Sequence, residues 1–284
     1  MNGRATAPAA GTILNALATK TGSAFAIDAE TTATVVLTDT GPITGEVEGV
    51  PDADTRLIER CVELIIHQYG DSEGATVRTT SEIPMAAGLK SSSAAANATV
   101  LATLGALDVE DTTCPREDAA RIGVRAARDV GVTVTGAFDD ASASMLGGLT
   151  VTDNTHDEVL KRDEVEWDVL VWTPNEQAFS ADADVSRCKQ IAPMADLVAD
   201  LAMDGEYGRA MTVNGLAFCA ALGFPTDPLV AAMTHVDGVS LSGTGPSVTA
   251  VGDRAALEQV RTIWNTYDGD TWLTTTQTEG AQRR

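Results

Sequence analysis

A lysine and three serines stand among small residues in PMAAGLKSSSAAA, which begins at Pro84 and lies between a strand-like TVRTTSEI run and an alanine-rich stretch. That composition is suited to holding phosphate. A turn built from Ala86, Ala87, Gly88 and Leu89 lets backbone N–H groups come close to an anion, and the helix that follows offers unpaired amides at the positive end of its dipole. Lys90 adds a full charge. Ser91, Ser92 and Ser93 place hydroxyls where they can cap the helix or hold a Mg²⁺ that shares oxygens with a bound nucleotide. The plainer alternative is a capped helix after a tight turn, since serine ahead of Ala94 and its neighbours is an ordinary helix start. Two further segments carry similar chemistry: GAFDDASASMLGG from Gly136, with the paired acids Asp139 and Asp140, and SGTGPSVTA from Ser242, with Gly243, Thr244 and Gly245 in one turn. On an extended segment adjacent side chains point opposite ways, so one acid of the pair is expected to face a substrate. Taken alone, the two acids could equally cap a helix formed by ASASML.

The elements that must position these segments can be read along the chain. SAFAIDAE and TATVVLTD are β-rich runs, and from Asp54 the period changes: DTRLIERCVELIIHQY puts Leu57, Cys61, Leu64 and Ile65 on one helical face. GATVRTTSEI returns to strand, a helix runs from about Ser92 to a C-cap at Gly105, and Pro115 opens another that ends near Gly131. DVLVWTP then predicts a short buried strand, PMADLVADLAM and YGRAMTVNGLAFCAALG two helices, GVSLSGTGPSVTAVGD a strand, glycine turn and strand, and RAALEQVRTIWN a closing helix. This mixture is α+β rather than a regular βα alternation. The length of 284 residues accommodates two modest domains. The expected division is 1–155 and 156–284.

Composition removes several function classes. The chain has 41 acidic and 19 basic residues and a formal charge of −22, with the acids spread throughout, so nucleic acid and anionic membrane are not expected partners. No apolar run reaches spanning length, and the opening MNGRATAPAAG lacks a charged start followed by a hydrophobic block. The expected compartment is the cytoplasm. The four cysteines are far apart and none has a histidine nearby, which supports neither a disulfide framework nor a zinc site. Only Lys20, Lys90, Lys161 and Lys189 among the 19 basic residues are lysines. An acidic, lysine-poor chain fits a high-salt cytoplasm, where screening relieves self-repulsion. An acidic mesophilic protein is the competing explanation. Neither GxxxxGK[ST] nor GxGxxG is present, which disfavours a P-loop or Rossmann site.

The three segments together resemble the GHMP kinase superfamily, over nearly the whole chain. Pro84, Gly88, Leu89, Ser91, Ser92 and Ala94 match its central motif, and Ser242 to Pro246 its glycine-rich third motif. Within the superfamily, ATAPAAGTILNALATKTGSAFAID, GAFDDASAS and RAMTVNGLAFCAALG look most like the archaeal type of shikimate kinase, which agrees with a halophilic origin. The resemblance implies a GHMP kinase fold, with an N-terminal domain like domain 2 of ribosomal protein S5 and a ferredoxin-like C-terminal domain. It also implies transfer of the γ-phosphoryl of ATP to the 3-hydroxyl of shikimate, with Mg²⁺.

On that pattern Asp139 aligns with the catalytic base, Ser92 with the metal-contacting serine, and Pro84 to Ala94 with the nucleotide loop, with Met85 included. Lys90 stands where many relatives have a small residue. It is expected to compensate for the lysine missing from the first motif, which here reads Pro8, Ala9, Ala10. Asp129 is a weak candidate for the metal's carboxylate ligand. Shikimate's carboxylate calls for a cation, and Lys20 and Arg187 are the candidates, with Lys189 beside Arg187; Asn15 and Asn214 are minority candidates for its hydroxyls. Asp140 is placed with the substrate beside Asp139. Another GHMP small-molecule kinase, for homoserine or mevalonate, and a catalytically silent nucleotide-binding homologue remain as alternatives. The residues leave the oligomeric state open.

The charge makes a prediction about salt. Carboxylate repulsion reaches across ~30 Å at ~0.01 M salt and only ~3 Å at ~1 M, so molar KCl is expected to raise the melting temperature and the activity together. Salt also weakens the attraction between a nucleotide and a positive cradle, so only a large folding benefit yields both gains. Thermal unfolding and ADP release across a KCl series check this. Equal stability and highest activity in dilute buffer would contradict the halophilic reading.

Overall fold

The structure, a computed structural model, describes residues 1–71, 73–83, 87–133, 136–175 and 185–284. Two long strands organise the first half. β1 (Asn2–Leu14) and β2 (Thr21–Thr38) pair antiparallel along almost their whole length, with register shifts at Pro8/Ala9 and Thr12/Leu14. The two β-rich runs expected after Gly22 are thus one strand, long enough to serve two partners. Its start pairs with β5 (Leu149–Asp153), and its end, from Thr31, pairs with β4 (Gly74–Ser81). β3 (Ile43–Val47) lies parallel to β4 and is joined to it through α1 (Arg56–Tyr69), as a parallel pair requires. β6 (Glu158–Asp163) and β11 (Gln282–Arg283) complete a seven-stranded sheet.

Helix α2 (Ser91–Ala106) lies at the centre of this half, buried on nearly every face from Ala94 to Ala106. Its alanines and threonines allow the sheet to come close. A Cβ on Gly3 of β1 would stand 2.0 Å from the Ala102 carbonyl oxygen. The flanking helices are α1, α3 (Arg116–Val130) and α4 (Phe138–Leu146). α3 ends on Gly131 in the left-handed region, whereas Gly105 lies inside α2, which runs on to Ala106.

The second half is built on a four-stranded antiparallel sheet, ordered β10–β7–β9–β8, from β7 (Asp168–Thr173), β8 (Gly238–Leu241), β9 (Val248–Gly252) and β10 (Asp270–Thr275). The helices between β7 and β8 are α5 (Val185–Gln190), α6 (Ala192–Met203), α7 (Tyr207–Leu222) and α8 (Asp227–Ala232); α9 (Arg254–Trp264) joins β9 to β10. Strand, helices, two strands, helix and strand, arranged 4-1-3-2, is the ferredoxin-like pattern. Phe218, Leu229, Val260 and Trp264 form its core with Leu170 and Val239.

The expected division at 155/156 falls between β5 and β6, which pair with each other, so the first sheet extends to Asp163. The chain also returns to that sheet at its end: Arg283 pairs with Ala5, and Arg284 N–H donates to the Arg4 carbonyl. One apolar cluster runs from β1 and α2 through to Val198 of α6 and Met211 of α7, so the halves share a core. Among the described residues no helix is long and apolar enough to cross a membrane.

Candidate active site

The three segments singled out above meet where the halves join, through hydrogen bonds that lie mostly between backbone and short side chains. Ser242 Oγ donates to the Gly88 carbonyl (2.9 Å) and Ser247 N–H to that of Ala87 (3.3 Å). From β1, Ala10 N–H reaches the Leu89 carbonyl (3.3 Å), and Thr12 Oγ1 accepts from Gly243 N–H (2.8 Å). Asn15 Nδ2 donates to the Gly243 carbonyl (2.7 Å), while Asn15 N–H donates to Asn214 Oδ1 (2.9 Å) and Asn214 Nδ2 to Ser240 Oγ (2.9 Å). Both asparagines, weighed above for a substrate's hydroxyls, thus knit β1 to the C-terminal half, and both are buried. The glycines are needed at this crossing. Gly88 has φ +77°, and a Cβ on it would lie 2.2 Å from the Ser242 carbonyl oxygen.

These segments line a cleft of about 890 Å³ that runs from the Gly88–Ser92 loop and Asp139 outward to β3, β4 and α1. Gly88, Lys90, Ser91, Ser92, Gly243 and Thr244 line it. Ala87, Leu89, Ala94 and Gly245 stand behind that lining, where the first three are buried and brace the loop by their backbones. Pro84, Met85 and Ala86 lie outside the described residues. Ser93 lines a small adjoining cavity of about 50 Å³ with Ser92 and Asp140.

α2 begins here with the amides of Ser91, Ser92 and Ser93, ahead of its first internal bond from Ala94 N–H to the Lys90 carbonyl (3.0 Å), and no side chain caps it. The serines therefore do not act as caps, and the positive end of the helix faces the cleft. Lys90 precedes the helix in the left-handed region (φ 65°, ψ 30°), a conformation uncommon outside glycine. Its ammonium lies 2.7 Å from Asp140 Oδ1, with both side chains largely buried. A lysine expected to face phosphate is thus also the partner of one of the paired acids.

α4 gives the two acids different surroundings. It too starts from a left-handed residue, Ala137. Asp140 faces Lys90. Asp139, 4% exposed, accepts a hydrogen bond on Oδ1 from Asn154 Nδ2 (2.7 Å) and lies against Gly22 of β2, where a Cβ would meet its carboxylate at 2.6 Å. Burial, reinforced by the charge of Asp140, pushes the Asp139 carboxyl up to about 7, with Lys90 and Asn154 acting in the opposite direction. Asn154 gives no motif signal in the sequence. Its role depends on β5 bringing its far end beside α4.

The other candidates are placed elsewhere. Lys20 occupies the β1–β2 turn, exposed and outside the cleft lining, although its carbonyl accepts from Asn154 N–H (2.9 Å). Arg187 of α5 donates to the Ala220 carbonyl of α7 (2.9 Å) and is not among the described residues that line the cleft. Lys189, beside it, is exposed and outside the lining too. Asp129 is paired with Arg60 (2.7 Å) and is not among the described residues that line the cleft. Lys90 and Arg56, the latter paired with Asp54 (2.5 Å), are the cations among the described lining residues. No group of three or more potential metal ligands occurs among the described residues.

Residues 56–148 match the family described as the GHMP kinases N terminal domain. A shikimate kinase from Halobacterium salinarum is 62% identical over 283 residues, which cover 99% of both chains. The chain belongs to the archaeal shikimate kinases, a branch of the GHMP kinases. A second shikimate kinase, from Methanosarcina mazei, is 51% identical over 93% of this chain and 90% of its own. The crystal structure of homoserine kinase from Cytophaga hutchinsonii superposes with a TM-score of 0.76 at 17% identity, covering 100% of this chain and 97% of that one, which shows the shared fold. As a kinase of this family the protein uses ATP, and the missing P-loop is accounted for by a different phosphate-binding fold.

Gly88→Ala tests the cradle. The clash with the Ser242 carbonyl and the positive φ together are expected to cost about 1–3 kcal/mol of stability and to weaken ATP binding at least about tenfold through the displaced amides. Gly49→Ala is the control, because Gly49 has φ +79° with open space around it. Calorimetric titration with ATP separates the two. Unchanged ATP affinity in Gly88→Ala would contradict the assignment.

Proposed function

We propose that the kinase transfers the γ-phosphoryl group of ATP to the 3-hydroxyl of shikimate, with Asp139 as general base, giving shikimate 3-phosphate for aromatic amino-acid synthesis. The observation that carries this reading is the Asp139 carboxylate, buried at the cleft beside the α2 N-terminus and the Lys90–Asp140 pair, with its pKa pushed up to about 7. A base at that value is about half ionised at neutral pH and binds a proton well. The acceptor's identity follows the relatives named shikimate kinase, because fold alone does not select an acceptor.

The chain's residues divide the work. The amides of Ser91 to Ser93 and the positive end of α2 hold the phosphates, and Lys90 adds the charge that offsets negative charge on the transferring group. Asp140 holds Lys90 in place. Val47, Val50, Leu57, Ile83 and Val130 give the far end of the cleft an apolar lining suited to a nucleotide base. Asp139 orients the acceptor hydroxyl and takes its proton as the oxygen attacks the γ-phosphorus in line with the departing ADP.

Mg²⁺ is compatible with the donors present. Ser92 is exposed and lines the cleft with Ser91, Asp139 and Asp140, whose side chains offer oxygen, and Mg²⁺ in kinases takes few protein ligands besides phosphate and water. Ser92 would hold it, and the ion would draw charge from the phosphate oxygens. No membrane or nucleic-acid partner enters this reading, the cytoplasm is its compartment, and the acidic, lysine-poor surface suits a salt-rich one.

A coupled ADP-release assay at high salt, offering shikimate, homoserine and mevalonate in parallel, tests the proposal. Activity is expected with shikimate alone. Asp139→Asn is expected to lower turnover by about two orders of magnitude or more and to leave ATP binding intact, because the amide cannot accept the proton. An active Asp139→Asn enzyme beside a crippled Asp140→Asn enzyme would overturn the assignment within the pair.

A further inference from the structure

Asn154 lies just beyond β5, 2% exposed, and every polar atom of its side chain is bonded. Its Oδ1 accepts two hydrogen bonds, from Thr152 Oγ1 (2.8 Å) and from Asp139 N–H (3.1 Å). Two donors on one oxygen fix which end of the amide is the carbonyl, so the NH₂ end is the one directed at Asp139 Oδ1 (2.7 Å). The backbone of Asn154 is held as well: its N–H donates to the Lys20 carbonyl (2.9 Å), and its carbonyl lies 3.5 Å from Arg128 Nη2. Arg128 is itself bonded through both terminal nitrogens to Asp157 (2.7 Å each). The amide is thus anchored from β5, from α3 and from the β1–β2 turn, and it contacts the backbone and the carboxylate of the same aspartate.

Gly22 closes the other side of that carboxylate. A Cβ there would stand 2.6 Å from Asp139 Cγ and Oδ2, so β2 and Asn154 together leave the group one seat. Besides Asn154, the charged groups facing it are Asp140 on its own helix and Lys90 ahead of α2. Arg128, with Asp157, is one residue removed, behind the Asn154 carbonyl.

We infer that Asn154 is a positioning residue for the phosphoryl transfer: its amide, oriented by Thr152 and by the Asp139 N–H, holds Asp139 Oδ1 so that the carboxylate meets the acceptor hydroxyl, whose proton it takes, in one fixed orientation. This rests on the reading of Asp139 as the base. The hydrogen bond does two things at once. It fixes the carboxylate against rotation within its seat, and it favours the ionised form that burial disfavours. A catalytic group displaced by even about 1 Å loses a large part of its rate, on the order of a hundredfold. An amide is the side chain that meets both demands here. An aspartate at 154 would keep the bonds to Thr152 and Asp139 N–H but set a second negative charge against the first.

The test is Asn154→Asp, an isosteric change that preserves the donors on Oδ1, compared with Thr152→Val and with Asp139→Asn, using shikimate-dependent ADP release from pH 5.5 to 9.5, a working range of about four pH units chosen to bracket the expected limb. For the wild type, kcat/KM rises with pH as Asp139 ionises, through about 7. In Asn154→Asp the added carboxylate raises the pKa of Asp139, so the rising limb is expected to move to higher pH by about one unit or more. Turnover at pH 7 is expected to fall at least about tenfold with KM for ATP within about twofold. Thr152→Val, which loosens the amide without touching the base, is expected to lower kcat by a smaller factor, about three- to tenfold, with the same unchanged KM for ATP. A purely structural role would lower the melting temperature and the amount of active enzyme, and would leave the pH of the limb where it was. Asn154→Asp with the wild-type limb and turnover, beside a crippled Asp139→Asn, would overturn the inference and leave the base assignment standing. An active Asp139→Asn would overturn both. If Asn154→Asp does not fold, Thr152→Val decides: wild-type kcat in that variant overturns the inference.

Discussion

A carboxylate taken out of water must be compensated, and much of the site's arrangement follows from that requirement for Asp139. Burial drives its pKa upward, and a nearby like charge, Asp140, drives it further. Unopposed, those two effects would leave a neutral acid with little use as a base. The compensation comes from two directions, Lys90 ahead of α2 and Asn154 from beyond β5, while Gly22 on β2 leaves the carboxylate room to sit between them. Each belongs to a different element, so the half that ends with the β5–β6 hairpin has to be assembled before the base can work.

The same pair of charges links the base to the phosphate cradle. Lys90 has its ammonium on Asp140 and its backbone at the start of α2, whose first three amides carry no side-chain cap. A helix N-terminus without a cap is normally a small loss of stability. Here it leaves donors for an anion. Left-handed backbone at Lys90 and Ala137 is a second local cost, taken at the two helix starts that face the cleft. The third segment braces this arrangement from the C-terminal half. Ser242, Gly243 and Ser247 hold the loop by their bonds to Gly88, Thr12 and Ala87, and the approach is so close that a methyl group at Gly88 would not fit.

Much of this was legible in the sequence, for identifiable reasons. Glycine, serine and the Asp139–Asp140 pair mark tight turns and helix starts, and such signals are local. The amphipathic period of α1, the Pro115 start and Gly131 end of α3 and the strand–turn–strand around Ser242 are equally local, and the structure has them within a residue or two. What escaped depends on long-range pairing. Strand β2 reads as two short strands because the polar Glu30, Thr31 and Thr32 interrupt its apolar run beside the register change opposite Pro8 and Ala9. Arg187 and Asp129 are hard to place from sequence because a charged residue's partners, the Ala220 carbonyl in one case and Arg60 in the other, cannot be read from its neighbours. Asn154 was missed for the same reason: it is an asparagine in a polar turn until β5 carries it to α4.

The central claim is that Asp139 is a buried carboxylate tuned to neutrality. A titration of its ¹³Cγ resonance by NMR in the free enzyme, assigned by comparison with Asp139→Asn, measures that directly. The account predicts a midpoint of about 7, well above the ordinary value of about 3.9, with the ionised form accumulating as pH rises through it. A midpoint at the ordinary aspartate value would contradict the account, because a base so weak in neutral solution would need none of the surroundings that Asn154, Gly22 and Lys90 supply.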